Sequence, residues 1–253
     1  MENKNINRRN FLELALGITT LPSLALSEEK DFNPKLKGWA IQYPSNKQKV
    51  RGFVYIPTVW GEQLRFPEEH HFVEVERIGI GIEKLRRAHI GLVESINKYT
   101  DINAYSDAHL YISSNHLIEY PFLYIATDKA FELTKTEREN FENYLRNGGF
   151  AVLESLEPEL DYSQSEASLK QMVKDTLKKD ARFLPISKEH KLYHCFFDFN
   201  DGPPISTEIK MFMTKTTLSY DDRGQNSRMS KQRLYLEGIF LDDRLAVIYS
   251  GKG

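Results

Sequence analysis

The segment from Pro121 to Glu154 constrains the fold more than any other part of the sequence. It opens with a continuous apolar run, Phe122-Leu123-Tyr124-Ile125-Ala126. A short run that is apolar at every position suits a parallel strand covered on both faces. Thr134 and Glu137 follow with the Thr-x-x-Glu spacing of a capping box, in which each side chain satisfies a backbone N–H at a helix start. Phe141, Tyr144 and Leu145 then recur at helical spacing. Asn147-Gly148-Gly149 stops that helix, because glycine accepts the left-handed backbone that often closes one. A second apolar run, Phe150-Ala151-Val152-Leu153, comes next. Strand, helix and strand in this order predict a βαβ unit with a right-handed crossover.

The rest of the chain extends the pattern. Gly38 to Tyr43 and Gly52 to Ile56 read as short strands around a polar turn at Ser45 to Lys49. Thr58 to Glu76 mixes aromatic and charged residues with Pro67, shows no period, and reads as a loop. From Ile80 the period becomes helical. Ile82, Leu85, Leu92, Val93 and Ile96 share one face, and the helix is expected to end near Tyr99. Ile102 to Tyr105 and His109 to Ile112 read as brief strands around a turn at Ser106-Asp107. Ser163 and Glu166 repeat the capping-box spacing ahead of a stripe of Leu169, Met172, Val173 and Leu177. Phe183 to Ile186 reads as a strand, and Arg233 to Ser250 as two strands joined near Asp242-Asp243. Strands and helices alternate, so the expected class is α/β, a doubly wound domain on a mostly parallel sheet.

The N-terminus carries a different signal. Asn7-Arg8-Arg9-Asn10-Phe11-Leu12 precedes an apolar run to Leu26. Paired arginines ahead of a modestly apolar run resemble a twin-arginine export signal, with Phe11 and Leu12 where that signal prefers bulky apolar residues. Glu13, Thr19, Thr20 and Pro22 interrupt the run, which is too short and polar for a membrane span of about 20 apolar residues. Ser23-Leu24-Ala25 or Ala25-Leu26-Ser27 offers small residues for cleavage. The expected organisation is a signal peptide over residues 1–27, a linker over 28–37 and a single α/β domain over 38–253. The expected location is periplasmic or otherwise extracytoplasmic, without a stable transmembrane span once the signal is removed.

Charge and cysteine content exclude several functions. Lys and Arg total 34 against 36 Asp and Glu, a net charge of -2. Removing the leader, with Lys4, Arg8 and Arg9 against Glu2 and Glu13, takes this to about -3. No basic field is present to hold nucleic acid. The one cysteine, Cys195, excludes an intramolecular disulfide and a cysteine-based zinc cage.

Four blocks in order carry a family resemblance. They are Tyr120-Pro121-Phe122-Leu123-Tyr124, then Leu145-Arg146-Asn147-Gly148-Gly149-Phe150, then Leu184-Pro185 through His190, His194 and Phe197. The fourth is Leu236-Glu237-Gly238-Ile239 with Arg244 to Ser250. Together they resemble the bacterial domain of unknown function 4159 family over residues 38–250. The resemblance implies a three-layer, flavodoxin-like domain similar to class I glutamine amidotransferases, and it implies no established activity. Two departures matter. The family commonly has aspartates after the strand that follows Gly-Gly, where Glu154 and Ser155 stand here. Its members also often continue past the last strand, where this sequence reads Gly251-Lys252-Gly253.

Ligands of open parallel sheets bind beyond the carboxyl ends of the strands. That rule puts Thr127, Asp128, Glu154 and Ser155 at one rim. Paired carboxylates such as Asp128 and Glu154 share acid–base work or hold a hard cation. His190 and His194 have the spacing of a helical metal pair, but the residues around them do not read as a helix. In a strand the two would lie about 13 Å apart, so no metal site is expected. One histidine, His190, stands as an acid–base partner for the rim. The ligand-binding candidates are therefore Thr127, Asp128, Glu154, Ser155, His190 and His194, and the catalytic candidates Asp128, Glu154 and His190. Cys195 lacks the glycine-bearing elbow of a nucleophile and reads as buried packing. Gly79-Ile80-Gly81 lacks the third glycine of a dinucleotide loop, and no cofactor is expected.

The expected function is an exported, non-catalytic module that binds a small molecule, a glycan or an envelope protein on an amidotransferase-like fold lacking the nucleophile. The alternative is an envelope hydrolase using the strand-end carboxylates with a histidine and a divalent ion. Fusing residues 1–30 to a reporter tests the address. Export is expected to stop when Arg8 and Arg9 both become Lys, and unchanged export excludes the twin-arginine route.

Overall fold

In the computed structural model the described residues are 35–64, 75–156, 163–203 and 235–251. In the helix that begins at Val75, side chains are described from Arg87 onward. The expected signal peptide and most of the expected linker lie outside the described residues. The linker's last residue, Lys37, is already anchored: its N–H bonds to the Glu119 carbonyl (2.9 Å), and its own carbonyl accepts from Tyr55 (2.8 Å).

The chain begins with an antiparallel pair, β1 (Gly38–Tyr43) and β2 (Asn46–Trp60). Helix α1 (Val75–Tyr99) leads into β3 (Asp101–Tyr111), which returns parallel to β2. A 3-10 turn at Asn115–Glu119 precedes β4 (Phe122–Thr127), α2 (Lys135–Arg146), β5 (Phe150–Ser155) and α3 (Gln164–Leu177). The two-residue β6 (Leu184–Pro185) and the hairpin of β7 (Glu237–Leu241) and β8 (Arg244–Ser250) complete one mixed, mostly parallel sheet. The α/β class and the parallel sheet are therefore as expected.

Pairing fixes the strand order. Gly52 pairs with Ala40 of β1 and Ile102 of β3 at once, so those strands lie on opposite edges of β2. Thr58 pairs with His109 of β3 and Tyr124 of β4, so β4 follows β1 along the same edge. Beyond β4 come β5, β8, β7 and β6. β4, β5 and β8 are mutually parallel, and β7 runs against β8.

Both faces of the sheet are covered. Leu123, Ile125, Ala151, Leu153 and Val247 pack under Phe141, Tyr144 and Leu145 of α2 and Leu169 and Val173 of α3. On the other face, Ala88 and Leu92 of α1 meet Tyr124 and Ala126. Beside them, Ile186 and Tyr193 cover Leu245 and Ile248.

The predicted βαβ unit is present with its expected signals. Thr134 caps α2 and accepts from the Glu137 N–H (3.3 Å), while Glu137 accepts from the Thr134 N–H (2.8 Å). Glu137 does more than close this box. Its second oxygen accepts from the N–H of Glu62 (2.7 Å), tying the chain just beyond β2 to the start of α2. At the far end, a Cβ on Gly149 would lie 2.4 Å from the Tyr144 ring, so only glycine lets the chain turn there. The Tyr144 hydroxyl donates to the Phe150 carbonyl (2.9 Å) and accepts from its N–H (3.1 Å). The β7–β8 turn is also as expected, with Asp242 (φ 49°) and Asp243 (φ 64°) both in the left-handed region of a two-residue hairpin.

Several boundaries differ from expectation. The residues through Trp60, read as loop, continue β2, and α1 starts at Val75 rather than Ile80. The two brief strands expected around Ser106-Asp107 are one strand, β3. Pro57 lies opposite Asp107 and Thr58 opposite His109, which leaves Ala108 as an extra residue. Pro57 has no N–H for the ladder, and a bulge at that point absorbs the irregularity. Ser163 accepts from the Glu166 N–H (3.1 Å), but the Glu166 carboxylate pairs with Lys170 (3.0 Å).

Glu137 is 2% exposed, and its loss leaves the Glu62 and Thr134 N–H groups without their acceptor. Glu137→Ala is expected to cost about 2–4 kcal/mol in urea unfolding, from lost charge-assisted bonds and the lost cap. An unchanged midpoint would show that this carboxylate braces nothing.

Candidate functional site

Because β4, β5 and β8 run parallel, their carboxyl ends share one rim of the sheet. Register decides which side chains meet there. Tyr124 lies opposite Val152, Ala126 opposite Glu154, and Glu154 opposite Ser250. Side chains alternate along a strand, so Tyr124, Val152, Glu154, Ile248 and Ser250 share the face turned away from α2 and α3. The Tyr124 hydroxyl reaches diagonally across the pairing and donates a hydrogen bond to Glu154 Oε2.

This pair sits at a cavity of about 370 Å³. Val152, Glu154, Ile248 and Ser250 form its floor. Leu192, Tyr193, Phe199 and Pro203 line it from the segment that follows β6, and Leu236 from the approach to β7. The size and mostly apolar lining, with few polar groups, are those of a small-molecule site.

Residues 71–253 match the family described as Domain of unknown function (DUF4159). The chain belongs to that family. No curated protein matches it. In this DUF4159 chain the matched span includes every residue that lines the cavity, and β1 and β2 precede it.

The electrostatics of the cavity are unusual for its polarity. Burial raises the Glu154 pKa above the ordinary carboxylate range, and the hydrogen bond from Tyr124 only partly opposes this. Burial, then the charge of Glu154 and the bond to it, raises the Tyr124 hydroxyl in turn. Among the described residues no Lys, Arg or His pairs with Glu154. Burial shifts this carboxyl toward its neutral form, and no cation compensates its charge among the described residues.

The structure distributes the other candidates away from Glu154. Thr127 and Ser155 lie opposite each other but face the α2–α3 side. Thr127 accepts from the Lys129 N–H (3.1 Å) within its own turn. Ser155 Oγ joins the buried hydroxyls of Ser163 (3.2 Å) and Ser165 (2.7 Å) at the start of α3. Asp128 is partly buried at the end of β4, with no hydrogen bond or ion pair to Glu154.

Neither histidine lines the cavity, although Leu192 and Tyr193 between them do. His190 Nδ1 caps the short turn Lys191–Tyr193 by accepting from the Leu192 N–H (3.1 Å). Its ring meets Phe240 edge-on, and burial lowers its pKa. His194 Nε2 donates to the Lys188 carbonyl (2.9 Å), and Nδ1 lies 3.3 Å from Asp198. Cys195 is half-buried rather than buried, in the bend after that turn, and burial raises its thiol pKa. It stands at no strand-to-helix elbow. Among the described residues no three His, Cys, Asp or Glu side chains cluster as metal ligands would. No helix among them is long and apolar enough to cross a membrane.

Tyr124, Tyr193 and Ser250 belong to the site and were not singled out from the sequence. Tyr124 carried the one usable signal. A tyrosine inside a strand run buried on both faces needs a partner for its hydroxyl, and the nearest strand end offered Glu154.

The raised Glu154 pKa fixes the sign of a pH effect. The folded state holds this proton more tightly than the unfolded chain does. The stabilisation is complete below the unfolded pKa and is lost as pH rises through the folded one. Glu154→Gln, which keeps an acceptor for Tyr124 without the charge, is expected to melt a few degrees higher than the parent at about pH 8. Each kcal/mol gained is worth about 2–4 °C in a chain of this size. The difference is expected to shrink toward about pH 4, and a gap that does not change with pH excludes a buried ionising carboxyl.

Proposed function

We propose that this protein is an exported, non-catalytic ligand-binding module on a flavodoxin-like, amidotransferase-like scaffold. The observation that carries the reading is the cavity at the ends of β5 and β8, with one uncompensated carboxyl in an apolar lining. An acid–base pair or an activated nucleophile would bring a second reactive group close to Glu154. Glu154 meets Tyr124, whose hydroxyl is held protonated, and not Asp128 or His190. That favours binding over the hydrolase reading. The scaffold reading is supported by the parallel order β3-β2-β4-β5-β8, with helices against both faces. Cys195 in its bend supports the absence of the amidotransferase nucleophile. Export rests on Arg8, Arg9, Phe11 and Leu12 and places the ligand outside the cytoplasm, as a small molecule, a glycan or a group on an envelope protein.

A thermal-shift screen of the full chain against small apolar molecules, sugars and divalent ions tests the reading. Apolar molecules bearing one polar group are expected to raise the melting temperature. The shift is expected to disappear in Leu236→Trp, which fills the cavity mouth from a half-buried position. Shifts that survive this change place the ligand elsewhere. Glycan hydrolysis lost in Glu154→Ala would establish the hydrolase instead.

A further inference from the structure

We infer that the cavity takes a primary ammonium group carried on an apolar body, with the charge seated against Glu154. This rests on the cavity being a ligand site and names the chemistry that would occupy it.

Among the described residues, Glu154 is the one acidic residue in the lining, and no basic residue lines it. Glu154 Oε2 accepts from Tyr124, and no other hydrogen bond or ion pair reaches the carboxyl among the described residues. The carboxyl shares the lining with the apolar side chains of Val152, Leu192, Phe199, Leu236 and Ile248. An ammonium brings both the donor and the charge that the carboxylate lacks. A hydrogen bond between two ions is about twice as strong as a neutral one, and more so away from water. A carboxylate ligand would place two negative charges together. An alcohol would satisfy the acceptor but leave the charge uncompensated. The apolar body then accounts for the rest of the lining.

Binding also moves a proton. Burial keeps the empty site's carboxyl protonated to higher pH than usual, and the ammonium favours its ionised form. The proton therefore leaves to solvent, and affinity rises as pH rises through the raised Glu154 pKa. Among the described residues, the hydroxyl-bearing groups at the site are Tyr124 on β4, which bonds Glu154, and Tyr193 and Ser250 in the lining. None of these competes for the proton, since serine does not titrate and burial raises both tyrosines above their ordinary, already alkaline, value.

Titration calorimetry of the full chain with hexylamine, hexan-1-ol and hexanoate at about pH 8 tests the inference, with 2-phenylethylamine and 2-phenylethanol as a second pair. Each amine is expected to bind about tenfold or more tightly than its alcohol, and hexanoate weakest of all. Glu154→Gln is expected to abolish the preference of each amine over its alcohol, with circular dichroism confirming the variant's fold. The comparison within the parent protein stands without the variant. Amines and alcohols that bind equally overturn the ammonium assignment and leave the cavity reading intact. Binding by none of the probes overturns both.

Discussion

The candidate site depends on the register in which β5 enters the sheet. Alternation puts Glu154 with Tyr124 and Ser250 on one face, and Ser155 with Thr127 on the other. A slip of one residue would exchange them, sending Glu154 under α2 and α3 and Ser155 into the cavity. The entry is fixed at the strand's first residues. Tyr144 holds both backbone groups of Phe150, and its ring fills the space where Gly149 has no side chain. Arg244, the first residue of β8, donates to the Gly149 carbonyl (3.0 Å) and to the Leu145 carbonyl (2.5 Å). One arginine therefore sets the end of α2, the start of β5 and the neighbouring strand together. The polar pair at the rim is the far consequence of contacts at the opposite end of the sheet.

The parts of the fold legible in the sequence were those with local causes. The unit from β4 to β5 announced itself because capping box, helical stripe and glycine stop all agreed with the same assignment. The β7–β8 turn was visible for the same reason, as two aspartates between apolar runs. β3 was not legible as one strand, because its continuity comes from pairing with β2. Ser106 and Asp107 carry turn chemistry, and Lys37 and Tyr120 both bond Asp107 from elsewhere in the chain (3.2 and 2.8 Å). Tertiary partners supplied what local propensity argued against.

The site was legible to the level of strand ends and not to the level of faces. The rule that ligands bind beyond parallel strands found Glu154. It also drew in Thr127 and Ser155, because a rim is a position along the strand and says nothing of direction. His190 and His194 were drawn in by residue type. Both satisfy backbone groups in their own segment, which is how polar residues shape an irregular loop. The described residues of that segment that do reach the cavity, Leu192, Tyr193, Phe199 and Pro203, are apolar or aromatic and carried no chemical signal. Walls of binding sites are built from such residues, so sequence reading that looks for chemistry finds the polar centre and misses its enclosure.

The division of labour between sheet and segment bears on what the protein can do. Regular strands hold Glu154 and Tyr124 in a geometry that packing fixes, while the irregular segment after β6 shapes the space above them. A catalytic site on such a scaffold needs that segment to bring a base or nucleophile down to the floor. Among the described residues it brings Leu192, Phe199 and Pro203. Burial raises the pKa of the carboxyl, and no cation stands beside it among the described residues. Desolvation of an unpaired acid opposes folding, and Gln at the same position would keep the hydrogen bond without that cost. A carboxyl kept where an amide would fit better is explained when the occupant of the cavity supplies the missing charge.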